Sequence, residues 1–237
     1  MLEARDISWK IGTKIILDNI NLSLKSGSRV GIVGPNGSGK SSLLKVLSFL
    51  ERPTSGQIVF QGEKYNGRIP LSVRRKIGMV FQDPLLLNTT VQDNVGAGLR
   101  MRGLPGQEIR QRIREWLELF GVGHLEKQQA RTLSGGEAQR VSLARAFALQ
   151  PEILFMDEPF SALDAPAREG LLDDLALILP GTQTTTIIVS HDFWEIKQLT
   201  ERALVMLRGK IAADAPPGDL LAGTLTQETA EFMKHWR

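Results

Sequence analysis

The 237-residue sequence contains no cysteine, which excludes a disulfide framework and a thiolate metal site. A chain without cysteine suits a reducing compartment. Its three histidines, His124, His191 and His235, are far apart and lack the spacing of a zinc motif. Neither residue type therefore predicts a structural metal.

Long apolar runs are also missing. No stretch approaches the roughly 18 uncharged apolar residues that a membrane-spanning helix needs, and the run from Leu171 to Leu179 is broken by Asp173 and Asp174. The N-terminal residues MLEARDISWKIG include acids among the bases and have no apolar run like the core of a signal peptide. We therefore expect a soluble, cytoplasmic chain that reaches a membrane only by docking on a membrane partner.

Strong charge of either sign is absent, since the formal net charge is only +3. Nucleic-acid binding usually shows as a basic stripe, so we expect no nucleic-acid partner. The short cluster Arg74, Arg75 and Lys76 is interpreted as a solvated face. Apolar residues, in contrast, make up 42% of the chain, enough for a sizeable core.

Short apolar or β-branched runs alternate with helical patterns along much of the chain. The predicted strands are residues 29–33, 57–60, 77–81, 153–156 and 185–189. This alternation predicts an α/β fold with parallel strands. From Pro84 to Leu149 no convincing strand occurs, and Ile109, Ile113 and Trp116 recur at helical spacing. We therefore expect an inserted helical subdomain, and a last amphipathic turn near Trp236.

A glycine-rich segment after the first buried strand matches the pattern G-x-x-x-x-G-K-[ST] in full. With the following serine, its residues are Gly34, Pro35, Asn36, Gly37, Ser38, Gly39, Lys40, Ser41 and Ser42. Glycines let successive N–H groups point inward at phosphate oxygens, and the following helix adds its positive dipole end. Lys40 would contact the β- and γ-phosphates, and Ser41 would bind Mg²⁺. The segment predicts a site for Mg-ATP.

Two acids follow the apolar strand at 153–156. Carboxylates directly after a buried strand are costly unless a cation or a reaction needs them. Beside a phosphate loop, Asp157 is predicted to hold Mg²⁺ and Glu158 to polarise the attacking water as general base. The alternative is an acid pair on a loop that caps the next helix.

The segment Leu133-Ser134-Gly135-Gly136-Glu137 stands between these two motifs. At this point the chain resembles the nucleotide-binding subunit of ABC transporters, whose signature is LSGG before a helix. Small residues and helix N–H groups form a second anion site. The resemblance implies a head-to-tail dimer in which Ser134, Gly135 and Gly136 of one subunit close on the ATP of the other.

Other motifs of this family follow in the expected order. Gln82 matches the glutamine loop, which the resemblance implies touches Mg²⁺ and links to a membrane partner. Asp164 matches the D-loop at the dimer seam, and His191 matches the switch histidine that contacts the γ-phosphate. Lys40, Glu158 and His191 are thus the expected catalytic residues, and Ser41, Gln82 and Asp157 the expected metal ligands.

The aromatic residue that usually stacks on adenine in this family is missing from its usual place. Aligning the segment IGTKIILDNINLSLKSG puts Ile11 there. Trp9, two residues earlier, would share its strand face. Either Ile11 packs on the base or Trp9 replaces the aromatic residue, and Trp9 could equally be ordinary core.

The resemblance extends over about Leu2 to Lys210 and implies a P-loop NTPase core with a mostly parallel sheet, an N-terminal antiparallel β subdomain and an inserted α-helical subdomain. We expect a single domain, with its α/β core at 1–82 and 150–215. The helical subdomain is expected at 83–149 and a short helical tail at 216–237.

The function implied is ATP hydrolysis that drives solute import, with ATP and Mg²⁺ as cofactors. Transmembrane permease subunits and a solute-binding protein are the expected partners, and the cytoplasmic face of a membrane the expected location. The segment SALDAPAREGLLDDL resembles that of subunits that serve oxyanions, which implies a solute such as tungstate, molybdate or phosphate. An exporter or lipid-handling ATPase is the first alternative. A DNA-repair or translation ATPase is less favoured, because only 92 residues separate Ser41 from Ser134 and the chain has one phosphate loop.

Overall fold

The computed structural model describes residues 1–65, 69–222 and 226–234. The strands in these ranges are β1 (Leu2–Ile11), β2 (Lys14–Leu24), β3 (Arg29–Val33), β4 (Ser55–Phe60), β5 (Glu63–Tyr65), β6 (Ile77–Val80), β7 (Ile153–Asp157), β8 (Thr185–Val189), β9 (Arg202–Leu207) and β10 (Lys210–Ala215). All five predicted strand segments are strands. His235 and Trp236, named above, lie outside the described residues.

Helices connect and flank these strands. They are α1 (Lys40–Leu47), α2 (Leu71–Arg74), α3 (Val91–Met101), α4 (Gly106–Leu119), α5 (Gly135–Ala148), α6 (Ala165–Ile178), α7 (Phe193–Leu199), α8 (Pro217–Ala222) and α9 (Gln227–Met233), with short 3₁₀ turns at 123–125, 130–132 and 179–181. Helices α3, α4 and α5 fill the region predicted to be helical. Across the described ranges, none of the helices combines the length and apolar character needed to span a membrane.

Two sheets form the framework. The first is antiparallel with the order β2-β1-β4-β5, and the second has the order β10-β9-β3-β8-β7-β6. In the second sheet β9, β3, β8, β7 and β6 run parallel, and β10 pairs antiparallel with β9. The mostly parallel sheet and the N-terminal antiparallel sheet confirm the predicted fold class.

The six-stranded sheet separates two apolar clusters. Along β7, Leu154 and Met156 belong to the cluster shared with the helices α3 to α5. Ile153 and Phe155 belong to the other cluster, which the antiparallel sheet and α1 complete. Side chains alternate between the faces of a strand, so a strand buried on both sides reads as a continuous apolar run. This explains why β7 carries no polar residue until its last position.

Parallel strands place their carboxyl ends at one edge of a sheet, where open α/β sheets bind their ligands. The phosphate loop follows β3, the acid pair lies at the end of β7, and His191 follows β8. Because β3, β8 and β7 are neighbours, the fold brings these three segments together at that edge.

Candidate active site

The phosphate loop turns tightly between β3 and α1. Gly37 and Gly39 have φ values of +78° and +102°, which side-chain-bearing residues rarely adopt. Position 34 requires glycine for a steric reason, because a Cβ there would lie 2.2 Å from the carbonyl oxygen of Met206. Side chains at positions 34, 37 and 39 would therefore disturb this tight turn.

Lys40 begins α1 and is only 5% exposed. Its Nζ donates to the carbonyl oxygens of Gly34 (2.8 Å) and Pro35 (3.2 Å). Burial lowers the pKa of the Lys40 ammonium, and the carboxylates of Glu158 and Asp157 oppose that shift. A buried cation held inside a turn of glycines is suited to an anionic ligand.

The donors of the loop fit a triphosphate with Mg²⁺. The Ser38 hydroxyl is buried and has no hydrogen-bond partner within the described part of the chain. A Cβ on Gly34 would lie 2.7 Å from that hydroxyl, so the Ser38 side chain packs against the start of the loop. In addition, Ser41 Oγ donates to Asp157 Oδ1 at 2.8 Å, which places a hydroxyl and a carboxylate together as oxygen ligands for a hard cation.

Asp157 is 8% exposed and carries an unfavourable charge. Burial raises the pKa of its carboxyl, while the hydrogen bond from Ser41 opposes the shift. In the described ranges no cluster of three or more His, Asp or Glu side chains is arranged to hold a metal. Mg²⁺ at Ser41 and Asp157 would need further oxygen ligands from phosphate, water or the predicted ligand Gln82.

Glu158 is oriented by an unusual backbone. Its φ is +47°, a left-handed conformation that is uncommon for a residue other than glycine, and its N–H donates to the carbonyl of Val189 at 3.0 Å. The carboxylate Oε2 lies 3.6 Å from Nδ1 of His191. The Glu158 side chain is 19% exposed and that of His191 54%, so the pair lies at the surface of the site, open to water.

Four other predicted nucleotide contacts lie at three places in the fold. Gln82 follows β6 and is exposed, at a strand end next to that of β7. Ser42 lies in the first turn of α1. Trp9 packs partly against the apolar cluster beneath the antiparallel sheet, whereas Ile11, at the end of β1, is 59% exposed. A contact of either residue with adenine stays a prediction.

The signature segment begins α5 with reciprocal capping. Ser134 Oγ accepts from the Glu137 N–H, and Glu137 Oε2 accepts from the Ser134 N–H at 2.8 Å. The pattern S-x-x-E, at residues 134–137, is the sequence signal for such a capping box. A Cβ on Gly135 would lie 3.7 Å from the carbonyl of Ala162. The signature therefore packs beside the loop that ends at Asp164, whose carboxylate caps α6 through the Ala167 N–H.

The sequence motifs do not predict the contacts that the β9–β10 turn and β2 make with the phosphate loop. The N–H of Gly209, in the turn between β9 and β10, donates to the carbonyl of Ser38 at 3.0 Å. The N–H of Asp18 donates to the carbonyl of Gly209 at 2.9 Å. A Cβ on Gly39 would lie 2.9 Å from the carbonyl of Ile16. The antiparallel sheet and the β9–β10 turn thus support the phosphate loop. In the sequence, only the glycine of Arg208-Gly209 indicates a turn there.

Comparisons with known proteins agree with this geometry. A family model described as "ABC transporter" matches residues 17–161. The sulfate/thiosulfate import ATP-binding protein CysA of Mesorhizobium japonicum is 44% identical over 82% of this chain and 57% of its own length. The Fe(3+) ions import ATP-binding protein FbpC of Escherichia coli (strain K12) is 36% identical over 98% of this chain and 66% of its own. This chain thus spans less than two thirds of either relative.

A solved structure shows the same fold. The ATP-binding cassette MJ0796, in a dimeric post-hydrolysis state bound to ADP and Pi, superposes with a TM-score of 0.81 and 31% identity. The match covers 92% of this chain and 99% of that one. The family model, the import-type relatives and the shared fold lead to one conclusion: this chain belongs to the ABC transporter family, as an ATP-binding domain.

Proposed function

We propose that this chain hydrolyses Mg-ATP as the ATP-binding subunit of an importer. The observation that carries the proposal is the meeting of three groups at one sheet edge: the phosphate loop, the Ser41–Asp157 pair and the Glu158–His191 pair. A loop that binds phosphate without cleaving it would not need a carboxylate and an imidazole facing each other beside it.

Each residue has a distinct role in the proposed reaction. The N–H groups of the phosphate loop and the Lys40 ammonium bind the phosphates and stabilise charge as it develops. Glu158 Oε2 orients the attacking water and takes its proton, and the His191 imidazole contacts the γ-phosphate. Mg²⁺, when bound at Ser41 and Asp157, supplies neutralising charge. Gln82 completes the metal site.

Assembly and cargo belong to the same proposal. Two copies pair head to tail, so that Ser134, Gly135 and Gly136 complete the phosphate shell of the partner, and Asp164 lines the seam. The dimer works on permease subunits at the cytoplasmic face of a membrane, with a solute-binding protein as a further partner. The solute is an oxyanion such as tungstate, molybdate or phosphate, which is supported by the 44% identity to a sulfate/thiosulfate import protein.

The helical subdomain proposed at 83–149 transmits the motion of the dimer to the permease subunits. Helices α3, α4 and α5 form the proposed helical subdomain, and Gln82 precedes it directly as the hinge. The α/β core at 1–82 and 150–215 and the tail at 216–237 complete the proposed single domain.

The hydrolysis itself is tested by comparing the wild type with Glu158→Gln. Removing the base while keeping the shape of the side chain should lower the turnover of Mg-ATP at least 100-fold and leave ATP bound in a stable dimer. Phosphate release and light scattering measure the two effects. Wild-type turnover in the variant would disprove the role of Glu158, and no turnover in the wild type would disprove hydrolysis.

A further inference from the structure

An ion-pair network surrounds the segment that carries His191. The guanidinium of Arg168, on α6, donates from Nε to Glu195 Oε1 at 2.6 Å and from Nη2 to Asp192 Oδ2. Glu195 lies on α7, and its side chain is only 4% exposed. One arginine therefore joins two acids, one of them next to His191 in the chain.

Both chain neighbours of His191 are fixed by this network. Ser190 Oγ donates to Glu195 Oε2 and accepts from the Asp192 N–H at 2.9 Å. Asp192 Oδ1 in turn accepts from the Trp194 N–H at 2.8 Å and caps α7. The imidazole of His191 is 54% exposed, and the network holds the residue on each side of it.

Arg168 also connects this segment to the loop that ends at Asp164. Its N–H donates to the carbonyl of Asp164 at 2.9 Å in the first turn of α6. Asp164 caps that helix, and its loop packs beside Gly135 of the signature. One helical turn therefore separates the Asp164 loop from the guanidinium that contacts Asp192 and Glu195.

We propose that Arg168 is a positioning residue for His191, which sets the imidazole against Glu158 and transmits the position of the Asp164 loop to it. The proposal rests on the proposed ATPase function. Glu195 is an essential part of it, because its nearly buried carboxylate accepts hydrogen bonds from both Arg168 and Ser190. Burial raises the pKa of that carboxyl, and the bonds from Ser190 and Arg168 oppose the shift. Without Arg168, a nearly buried carboxylate would lose its cation and the network would rearrange.

Kinetics separate a positioning role from a purely structural one. Arg168→Gln should lower kcat for ATP at least 10-fold and change KM less than threefold, because the phosphate loop is untouched. Arg168→Lys keeps the charge but cannot donate to both acids in the same way, so it should restore only part of kcat. In the His191→Ala background, Arg168→Gln should lower the remaining kcat less than twofold. Equal losses in both backgrounds would overturn the proposal.

A second measurement does not depend on turnover. The ¹³C–¹H correlation of the His191 imidazole, assigned with His191→Ala, should broaden or shift in Arg168→Gln and keep its wild-type position in Arg202→Gln. The control breaks contacts with Asp214 (2.6 Å and 2.5 Å) and with the carbonyl of Ser23 (2.7 Å) at the start of β9, whereas His191 follows the end of β8. An unchanged His191 signal in Arg168→Gln would overturn the proposal even if the wild type failed to hydrolyse ATP.

Discussion

At the scale of single residues, the site buries two ionisable side chains, although burial disfavours their charged forms. Asp157 and Lys40 are both nearly buried, and burial shifts the pKa of each toward its neutral form. Glu158 adds a left-handed backbone that costs of order 1 kcal/mol or more. Such local costs typically mark functional positions.

The charge of Asp157 predicts a trade between stability and ligand binding. Because its pKa is raised in the fold, the folded chain binds that proton more tightly than the unfolded chain. Its unfavourable contribution is present above the folded pKa and fades as pH falls below it. Asp157→Asn should therefore raise the melting temperature of the metal-free protein at pH 7 and reduce the stabilisation by Mg-ATP.

Scanning calorimetry with and without Mg-ATP measures both effects. The exposed Glu63→Gln removes one negative charge outside the site and should change neither. A lower melting temperature for metal-free Asp157→Asn would show that the carboxylate stabilises the fold.

At the scale of elements, the start of α5 depends on the ionised form of Glu137. Hydrogen bonds from the Ser134 N–H and hydroxyl lower the pKa of Glu137. The resulting stability is present above the ordinary pKa of a glutamate and is lost as pH falls through the lowered one. Glutamine can still complete the capping box, so Glu137→Gln should cost only about 0.5 kcal/mol at pH 7, from the lost charge at the helix N-terminus, and remove part of the acid sensitivity. Urea unfolding at pH 7 and pH 3.5 measures this, and parallel losses in both proteins would contradict it.

The loop after Gln82 presents apolar side chains to the outside. Leu85 and Leu87 are 60% and 51% exposed. Arg145 on α5 donates to the carbonyl of Leu85 at 2.9 Å, and Asn94 on α3 bonds to the backbone of Leu87 at 2.7 Å and 3.0 Å. The loop is thus attached to the helical region, and we predict that its two exposed leucines contact the proposed permease subunit.

Loss of this contact should uncouple transport from hydrolysis. Leu85→Asn combined with Leu87→Ser should lower ATP-driven uptake with co-expressed permease at least fivefold and leave the ATPase activity of the isolated subunit unchanged. Asparagine tolerates the φ of +47° at position 85. Leu177→Asn, at a position 80% exposed on α6, is the matched control. Normal uptake by the double variant would refute the docking role.

At the scale of the whole molecule, the proposed head-to-tail dimer predicts that two inactive variants complement each other. Lys40→Ala should disable the phosphate loop of its own subunit, and Ser134→Arg should block the site of its partner. A mixed dimer would contain one intact composite site and one site with both changes. Mixing the two proteins should restore ATP hydrolysis well above the sum of the separate activities. Activity equal to that sum would contradict a shared site.

Sequence alone predicted the parallel strands and the motif residues because both depend on short contiguous patterns. The ties among Gly209, Ser38 and Ile16 escaped it, since they join segments far apart in the chain. The left-handed φ of Glu158 could not be predicted either, because positive φ is typical of glycine and not of glutamate. Tertiary packing decided these features, and the Arg168 network belongs to the same class.

Strand β7 has a consequence for how the protein tolerates change. Its alternate residues belong to different apolar clusters, and its last residue is Asp157. A cavity opened on either side of the sheet would therefore move the carboxylate by shifting its strand. The packing of both apolar clusters thus affects the position of the Asp157 carboxylate. Substitutions at residues 153–156 should therefore be tolerated during evolution only when they conserve side-chain volume.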